Sequence, residues 1–380
     1  MAASPPKDYR GDSKVTRGEE LRVVMVAPSP PPYGGITNWT NLVVEESEKT
    51  PKTNIRLVDT SPRKGVSDGR SLWDRVFGGF KSIGVTLSEL RGVIDEADVV
   101  HVATSGSLAC LRDRFVLSFC RKHGVPTVLH LHYGRLPAVC ERPTWERALT
   151  LGNIERADQV IAIDRPSFDA ANGLFPGKCV YIGNPISVKR LDSIQVDKTK
   201  TNGTDGTVLY LGWVIPTKGI SELVSAWKCV VARYPGWQLK IGGPVSDSYR
   251  DELLREGAPS IEFLGELPHD EAMREIQKAE LLVLPSYTEG FPNVVLEAMV
   301  YGKAIVATSV GAIPEMLADG RGVVVEPRDV DELVQGLCKV IGNRDLRSKL
   351  GGQSSPHARS TWDVPVVFGE YRELWGRLVR

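Results

Sequence analysis

Short apolar runs recur along the first half of the chain and alternate with longer segments in which apolar residues have helical spacing. Runs that are apolar throughout and lie a helix apart are typical of parallel sheets covered by helices. The pattern therefore predicts a first doubly wound α/β domain, residues 21–185, with strands at Leu21–Ala27, Asn54–Asp59, Ala97–Val102, Thr127–His132, Gln159–Asp164 and Cys179–Gly183.

A second series of the same kind follows a polar stretch without periodicity, residues 186–206, which predicts a linker. Doubly wound sheets bind ligands at the carboxyl ends of their strands, so we expect the two domains to face each other across one deep cleft. The second domain is predicted over residues 207–362, with strands at Thr207–Gly212, Trp237–Gly243, Ile261–Gly265, Leu281–Pro285, Ala304–Ser309 and Gly322–Glu326.

Both ends of the chain lie outside these two series. Residues 1–20 are polar and charged and predict a disordered tail. Residues 363–380 have apolar positions at helical spacing but are too few for a further domain. We expect them to form one helix that packs across the domain junction.

Composition and charge narrow the class of protein. Of 380 residues, 42% are hydrophobic and 25% are charged, with 47 basic and 47 acidic side chains, which argues against disordered, fibrous and nucleic-acid-coating proteins. Residues 1–190 carry 26 basic and 21 acidic side chains, a net charge of +5, and the remaining residues carry 21 and 26, a net charge of −5. The first half can therefore meet an anionic surface, and no nucleic acid partner is expected.

The cysteines and the N-terminus bear on the cellular compartment. Six scattered cysteines without a CxxC pair indicate free thiols in a reducing cytosol. The N-terminus lacks the apolar stretch of a signal peptide, and no apolar run approaches membrane-spanning length. We expect a soluble cytoplasmic protein that is at most peripheral to a membrane.

Two glycines, Gly34 and Gly35, separate the first predicted strand from a helix. Glycine at this position lets backbone N–H groups and the helix N-terminus approach a phosphate that a side chain would keep away. The spacing matches neither the dinucleotide-binding pattern nor the P-loop pattern. A phosphate-binding turn and a plain tight turn therefore both remain open.

A pair of glutamates in the second domain forms the most specific pattern in the sequence. Glu289 lies in the loop after a predicted strand, and Glu297 lies in the first turns of a helix that begins near Asn293. The two carboxylates bracket backbone N–H groups, an arrangement suited to a diphosphate flanked by hydroxyl-rich sugars. The alternative is that Glu289 is solvated and that Glu297 only complements the helix dipole.

The segment around these glutamates, EGFPNVVLEAM, resembles the E-x7-E motif of the retaining GT-B glycosyltransferases of family 4, the group 1 glycosyltransferases. The resemblance extends over most of the chain, through YGGI, HLHYG, YIGNPI, YLGWVIPTKGISELVSAW and GKAIVATSVGAIPEML. It implies a GT-B fold of two Rossmann-like domains, with the acceptor on the first, the donor on the second and a C-terminal helix that crosses back to the first. It also implies transfer of a hexosyl unit from a GDP- or UDP-sugar to a hydroxyl group with retention of configuration.

The resemblance further implies roles for individual residues. Glu289 would hold hydroxyls of the transferred sugar, Lys218 would bind the diphosphate, and His132 would reach the sugar from the opposite wall; these three are the catalytic candidates. Glu297 would accept hydrogen bonds from the ribose diol of the donor. His130, one pleat before His132, is predicted to lie in the core. The other donor-binding residues implied are Gly34, Gly35, Gly290, Phe291, Asn293 and Val294.

One donor-site position departs from the family pattern. The family has an arginine five residues before the lysine, where this chain has Trp213. Loss of one of two cations that face a diphosphate leaving group removes transition-state stabilisation unless another cation replaces it. We hypothesise that Arg135 or Arg165, each just past a first-domain strand, replaces it; the alternative is an inactive protein that binds the donor weakly.

Asp329 and Asp331 have the Asp-x-Asp spelling with which glycosyltransferases of another fold hold a divalent ion. They stand at the start of a predicted helix, where acids cap the helix and complement its dipole, and this setting favours capping. We expect neither a metal nor a cofactor, because the nucleotide sugar is a substrate.

The acceptor is expected to be a saccharide or a lipid-linked sugar. Residues Leu72–Ile94 place apolar side chains on one helical face among basic residues. A helix that covers the sheet is one interpretation, and contact of Trp73, Phe77 and Phe80 with the inner face of an anionic membrane is the other. The sequence thus predicts a step in polysaccharide or glycolipid biosynthesis. A sugar-nucleotide isomerase of the same architecture and a non-catalytic binding or scaffold protein are the alternatives.

Overall fold

The computed structural model describes residues 20–31, 34–61, 83–195 and 206–379. The predicted disordered tail lies outside these ranges except for Glu20. Most of the amphipathic segment Leu72–Ile94 also lies outside them, including Trp73, Phe77 and Phe80.

The sheet of the first domain consists of β1 (Leu21–Ala27), β2 (Thr53–Asp59), β3 (Val99–Thr104), β4 (Thr127–Leu131), β5 (Gln159–Ala162) and β6 (Cys179–Tyr181). These strands are parallel and ordered β2-β1-β3-β4-β5-β6. Every residue of β3 and β4 is buried, which explains why apolar residues predominate in both and no charged residue occurs in either. All six predicted strands are confirmed.

Helices that connect these strands are α1 (Gly35–Lys49), α2 (residues 83–91), α3 (Ala109–Lys122), α4 (Leu136–Glu141), α5 (Trp145–Arg156) and α6 (Arg165–Leu174). Two of them begin at side-chain caps. The Thr144 hydroxyl accepts from a backbone N–H at the start of α5, and the Asp164 carboxylate does so at the start of α6. The helices begin at the carboxyl ends of the strands, so these ends carry the loops of the candidate site.

The segment between the two sheets, which includes the predicted linker at residues 186–206, is partly helical. Helix α7 (Val188–Ser193) begins at Ser187, whose hydroxyl accepts from the backbone N–H of Arg190. Leu191 is buried, and the Tyr301 hydroxyl donates to its carbonyl oxygen at 3.0 Å. Helix α7 gives no periodic pattern in the sequence because a cap and tertiary contacts form this short helix. Residues 196–205 lie outside the described ranges.

The sheet of the second domain consists of β7 (Gly206–Leu211), β8 (Trp237–Gly242), β9 (Ile261–Gly265), β10 (Leu281–Leu284), β11 (Ala304–Thr308) and β12 (Val323–Val325). The strands are parallel in the order β12-β11-β10-β7-β8-β9, and all six predicted strands are confirmed. The helices are α8 (Ile220–Arg233), α9 (Asp247–Arg255), α10 (His269–Lys278), α11 (Asn293–Val300), α12 (Ile313–Met316), α13 (Val330–Ile341) and α14 (Arg344–Thr361).

Helix α15 (Val364–Leu378) crosses back to the first domain, as predicted. Its Tyr371 hydroxyl accepts a hydrogen bond of 3.0 Å from the indole N–H of Trp39 in α1. Its Trp375 indole N–H donates to Nδ1 of His101 in β3 at 3.1 Å. All four side chains are buried, so the end of the chain is part of the first domain's core.

Buried apolar side chains form two clusters. One extends from Trp39 and α15 through the second domain, and the other lies between the first sheet and helices α3 and α5. All six cysteines are free thiols. Within the described ranges, no helix is long and apolar enough to cross a bilayer.

Candidate active site in the interdomain cleft

A cleft of about 370 Å³ lies between the domains, where the carboxyl ends of strands from both sheets meet. This is the edge at which doubly wound sheets bind ligands. Gly34 and Glu297 are not part of the cleft lining. The other predicted site residues line it: Gly35, His132, Trp213, Lys218, Glu289, Gly290, Phe291, Asn293 and Val294.

Lys218 and Glu289 form an ion pair on the second-domain wall. Lys218 Nζ lies 2.6 Å from Glu289 Oε1, and the two side chains are 24% and 13% exposed. Partial burial limits screening by water, so this charge-assisted hydrogen bond is strong. Lys218 is the only lysine or arginine among the described residues that line the cleft. The pair offers a ligand one cation and one anionic acceptor side by side.

The lysine loop is held against the loop that carries the glutamate. Lys218 ends the 3₁₀ turn Pro216–Lys218, and Gly219 follows it with a φ of +70°. A Cβ at Gly219 would lie 2.0 Å from the carbonyl oxygen of Pro285, which follows β10. Glycine is therefore required here both for the left-handed backbone and for the close approach of the two loops.

Helix α11 begins at the cleft with backbone N–H groups that lack partners. Its N-cap residue, Pro292, provides no side-chain cap, and its first turn holds no acid. In the described part of the chain, no atom accepts from the backbone N–H of Asn293 or Val294. Free N–H groups and the positive end of the helix dipole together attract anions such as phosphates.

Glu297 is buried one turn further along α11. Its Oε1 lies 3.3 Å from Nε2 of His269, the first residue of α10. The hydrogen bond to this carboxylate raises the pKa of His269 above its ordinary value. His269 thus orients Glu297. The sequence gives no sign of this histidine's role, because no motif surrounds it.

Helix α1 of the first domain also points its N-terminus towards the cleft. Gly34 is its N-cap and donates its backbone N–H to the Thr37 hydroxyl at 2.8 Å. Gly35 lines the cleft, and a Cβ there would meet no neighbouring atom of the described residues within 4 Å. A phosphate can therefore approach the backbone at Gly35, whereas Gly34 closes the first turn of the helix.

His132 directly follows β4 and lines the first-domain wall of the cleft, across from Lys218. Its ring stacks on that of His130 with centroids 3.9 Å apart and packs against Trp39 at 4.5 Å. Desolvation lowers the pKa of His132 to about 3, so its ring is neutral near pH 7. His130 is fully buried, which confirms its prediction as a core residue.

A chain of hydrogen bonds extends behind this wall. The Trp375 N–H donates to His101 Nδ1, so the proton of neutral His101 is on Nε2, which lies 3.1 Å from His130 Nδ1. Burial lowers the pKa of His101 to about 3 and that of His130 well below its ordinary value. The tautomers of both rings therefore follow from one indole on the C-terminal helix.

The two walls touch at Gly134, just past β4. A Cβ on Gly134 would lie 1.9 Å from the carbonyl oxygen of Glu289, and one on Gly290 would lie 3.2 Å from the Gly134 nitrogen. Nearby, Asn184 Nδ2 donates to the carbonyl oxygen of Phe291 at 3.4 Å. The loops of the first domain are thus in direct contact with the glutamate loop of the second.

The structure places Trp213 in the cleft lining, with 65% of its surface exposed, and brings neither candidate replacement cation to it. Arg135 pairs with Glu146 at 2.5 Å, and Arg165 pairs with Asp169 at 3.1 Å. Neither arginine lines the cleft. The geometry therefore does not support the hypothesis that one of them replaces the arginine of the family pattern, because both guanidinium groups are paired elsewhere.

The sequence did not indicate several further residues that line the cleft, among them Ile163, Asn184 and Tyr210. Asn184 just follows β6, and its Oδ1 is buried and has no hydrogen-bond partner among the described residues. A polar residue past the end of a buried strand is the signal that could have identified it.

The carboxylates of the Asp-x-Asp segment lie away from the cleft. Asp329 is the N-cap of α13, and its Oδ1 accepts from the Glu332 N–H at 2.9 Å, which confirms the capping interpretation. Over the ranges described, no three His, Cys, Asp or Glu side chains group as metal ligands would.

Comparison with known proteins relates the second domain to a family. Residues 193–355 match the family model of Glycosyl transferases group 1. The GDP-mannose-dependent monoacylated alpha-(1-6)-phosphatidylinositol monomannoside mannosyltransferase of Corynebacterium glutamicum is 30% identical over 164 residues, which are 40% of this chain and 42% of the relative. The chain thus spans less than half the length of this curated relative.

Solved structures resemble the chain over almost its whole length. Sucrose-phosphate synthase from Thermosynechococcus elongatus superposes with a TM-score of 0.74 at 16% identity, covering 94% of this chain and 99% of that one. HepE from Anabaena, in complex with UDP-glucose, superposes with a TM-score of 0.70 at 17% identity. This match covers 93% of this chain and 99% of HepE. At such identities the likeness concerns the fold alone. The chain therefore has the GT-B fold, and its residues 193–355 match the group 1 glycosyltransferases.

Proposed function

We propose that the protein transfers a hexosyl unit from a GDP- or UDP-sugar to an acceptor hydroxyl, with retention of anomeric configuration. The observation that carries this proposal is the Lys218–Glu289 pair beside the free N–H groups of Asn293 and Val294. The ammonium and the N–H groups suit a diphosphate, and the carboxylate suits sugar hydroxyls. A nucleotide-sugar donor is supported by the UDP-glucose bound to HepE and by the GDP-mannose dependence of the Corynebacterium relative.

The proposed reaction needs no carboxylate nucleophile, in contrast to retaining hydrolases. The bond between the anomeric carbon and the diphosphate oxygen breaks, and its electron pair leaves with the nucleoside diphosphate. The acceptor oxygen bonds to the same face of that carbon, and its proton passes to the departing phosphate oxygen. Lys218 and the first N–H groups of α11 stabilise the negative charge that develops, so no metal is required.

The remaining residues orient the donor. Glu289 and His132 hold hydroxyls of the transferred sugar from opposite walls, and Glu297, oriented by His269, accepts from the ribose diol. The backbone at Gly35 lets the diphosphate approach α1. The first domain receives the acceptor, which we propose to be a saccharide or a lipid-linked sugar in a cytoplasmic step of polysaccharide or glycolipid biosynthesis.

Thermal unfolding tests the donor site. Wild type, Glu297→Ala and the exposed control Glu252→Ala are unfolded in EDTA with UDP, GDP, ADP and their sugars. A ligand at one hundred times its dissociation constant adds about 2.7 kcal/mol of stability, so one nucleotide series should raise the midpoint of wild type and of Glu252→Ala but not of Glu297→Ala. If no nucleotide raises the midpoint of wild type, the proposal is wrong.

A non-catalytic protein that binds a nucleotide sugar is the second candidate. Trp213 favours this candidate. With tryptophan in place of the family's arginine, Lys218 is the only lysine or arginine in the described cleft lining. Release of nucleoside diphosphate from the donor is measured for wild type and Trp213→Arg, with Trp145→Arg, at another exposed tryptophan, as control. Turnover by wild type contradicts this candidate, and turnover by Trp213→Arg alone supports it.

A further inference from the structure

Three large apolar side chains are exposed on neighbouring helices of the first domain. Leu108 is 75% exposed, Trp145 57% and Phe115 42%. Leu108 immediately precedes α3, and Phe115 lies seven residues further on, two turns along the same side of that helix. Trp145 is the first residue of α5, which packs beside α3. We name these three residues the α3–α5 surface.

Hydrogen bonds hold the starts of the two helices together. The Ser107 N–H donates to Glu146 Oε1 at 2.8 Å, and Arg135 Nη2 donates to the same oxygen at 2.5 Å. Leu108 and Trp145 are each adjacent in sequence to one partner of this junction, so both are fixed close to it. Leu108 and Trp145 are therefore exposed on a part of the fold that hydrogen bonds hold in place.

The α3–α5 surface adjoins the cleft. Arg135, which joins the two helix starts, directly follows Gly134, the residue that contacts the backbone of Glu289. The helices begin at the carboxyl ends of β3 and β4, which is the edge at which the cleft opens. A large partner seated on this surface would therefore lie beside the acceptor side of the cleft.

The surroundings of the α3–α5 surface are basic. Residues 107–156 contain eight basic and four acidic residues. Asp113, the only acid in α3, is fully buried and paired with Arg112, and the acids left exposed are Glu141 and Glu155. In the described part of the chain, the salt bridges involve none of the flanking basic residues Arg114, Arg121, Lys122 and Arg142.

We propose that the α3–α5 surface docks the protein on an anionic lipid bilayer. Apolar side chains that include a tryptophan insert at the level of the head groups, and the flanking basic side chains face the lipid phosphates. A second copy of the chain fits less well, because its equivalent surface carries the same positive charge. Docking would place the cleft beside lipid-linked acceptors, and this assignment of the acceptor rests on the proposed function, whereas the docking itself does not.

Cosedimentation with vesicles tests the docking. The full chain is incubated with phosphatidylcholine vesicles with and without phosphatidylglycerol, at low and high salt. Wild type should bind the anionic vesicles and lose affinity at high salt, since each basic residue near an anionic surface contributes about a fivefold gain in affinity. The triple variant Leu108→Ser/Phe115→Ser/Trp145→Ser and the charge variant Arg121→Glu/Lys122→Glu should each bind at least about tenfold more weakly.

The matched control makes the same kind of change at exposed apolar residues elsewhere, Leu254→Ser/Val324→Ser/Val366→Ser, and should bind as wild type does. The proposal is overturned if wild type does not cosediment with anionic vesicles, or if the triple variant binds them as tightly as the control variant does. It is also overturned if sedimentation velocity shows that the triple variant only converts a dimer into a monomer. Nucleotide-dependent stabilisation, measured without vesicles on the same variants, tests the donor site separately and should be unchanged.

Discussion

The wall that the second domain contributes to the cleft is charged, whereas the wall of the first domain is built of neutral rings. Lys218 pairs with Glu289 on the charged wall, and His269 contacts Glu297 behind it. On the neutral wall, His132 packs against the rings of its own domain without an ion pair in the described structure. A carboxylate raises the pKa of a histidine on one side, and desolvation lowers it on the other.

This difference suggests what each domain contributes to the proposed transfer. Charges that are already oriented, as at Lys218 and the N-terminus of α11, stabilise a leaving diphosphate without reorganisation. A closely packed neutral wall excludes water and so strengthens the charges that face it. Changes to the charged wall should therefore act on catalysis, and changes behind the neutral wall should act first on stability.

The largest expected effect is that of Lys218→Met on catalysis. Removing the only lysine or arginine of the described cleft lining should lower kcat by about 10³, roughly 4 kcal/mol of transition-state stabilisation. Donor turnover at saturating donor measures it, with Lys228→Met, a lysine of α8 outside the cleft lining, as control. Equal loss in both variants would mean that Lys218 does not act on the leaving group.

Gly134→Ala should separate the two walls. Its Cβ would lie 1.9 Å from the Glu289 carbonyl oxygen, so the loops must move apart by an ångström or more. A displacement of about 1 Å lowers rates by about 10², and we expect that loss in kcat without a comparable loss of stability. Gly173→Ala, where a Cβ meets no neighbouring atom within 4 Å among the residues that the structure describes, is the matched control. Full activity of Gly134→Ala would mean that this domain contact is dispensable.

The strands and the charged wall were predictable for physical reasons. Strands inside the sheets, such as β3, β4, β10 and β11, are buried throughout and consist mostly of apolar residues. At the level of bounds, β1 and β9 lie where they were predicted. Lys218 and Glu289 were singled out because the segments around them resemble the family pattern. The ion pair between them joins positions 71 residues apart. Both loops nevertheless lie at the same sheet edge, where doubly wound sheets bind their ligands.

Contacts that depend on the packing of distant elements were not predictable. His101 and Trp375 are 274 residues apart, and no local pattern indicates that one indole sets the tautomer of a buried histidine. His269 contacts Glu297 across 28 residues from the start of a helix that contains no motif. Helix α7 forms because Ser187 caps it and Leu191 is buried, neither of which produces periodicity.

Trp375→Phe tests the support of the neutral wall. The substitution keeps an aromatic ring but removes the N–H that donates to buried His101 Nδ1, leaving that atom without a partner. An unsatisfied buried acceptor costs about 1–3 kcal/mol of unfolding free energy. Urea denaturation should show this loss for Trp375→Phe and little change for Trp145→Phe, at an exposed site. No loss at Trp375 would mean that water or a rearranged ring satisfies His101.

The neutral histidines should make stability fall in acid. Because the pKa of His101 is lowered to about 3, the unfolded chain binds a proton below its ordinary pKa of 6.5 while the folded protein does not. Between those two values, each such histidine lowers the unfolding free energy by about 1.4 kcal/mol for every unit by which the pH falls. His101→Gln should therefore have a shallower pH dependence by that amount, and exposed His123→Gln is the control for losing one imidazole. An unchanged slope in His101→Gln would contradict the buried neutral state.

The smallest expected effect comes from His269 on the charged wall. Its contribution to stability changes with pH in the direction opposite to that of His101. Its pKa is raised, so the contact with Glu297 stabilises the protein fully below pH 6.5 and is lost as the pH rises through the raised value. Because His269 is 39% exposed, water screens the pair, and His269→Gln should cost only about 0.5–1 kcal/mol at acid pH and nothing in alkali. Asp270→Asn removes the other carboxylate near His269, so this variant measures how much Asp270 contributes to the stabilisation. A cost that grows with pH would mean that His269 is neutral in the folded protein, and the two walls would then no longer differ in how they hold their histidines.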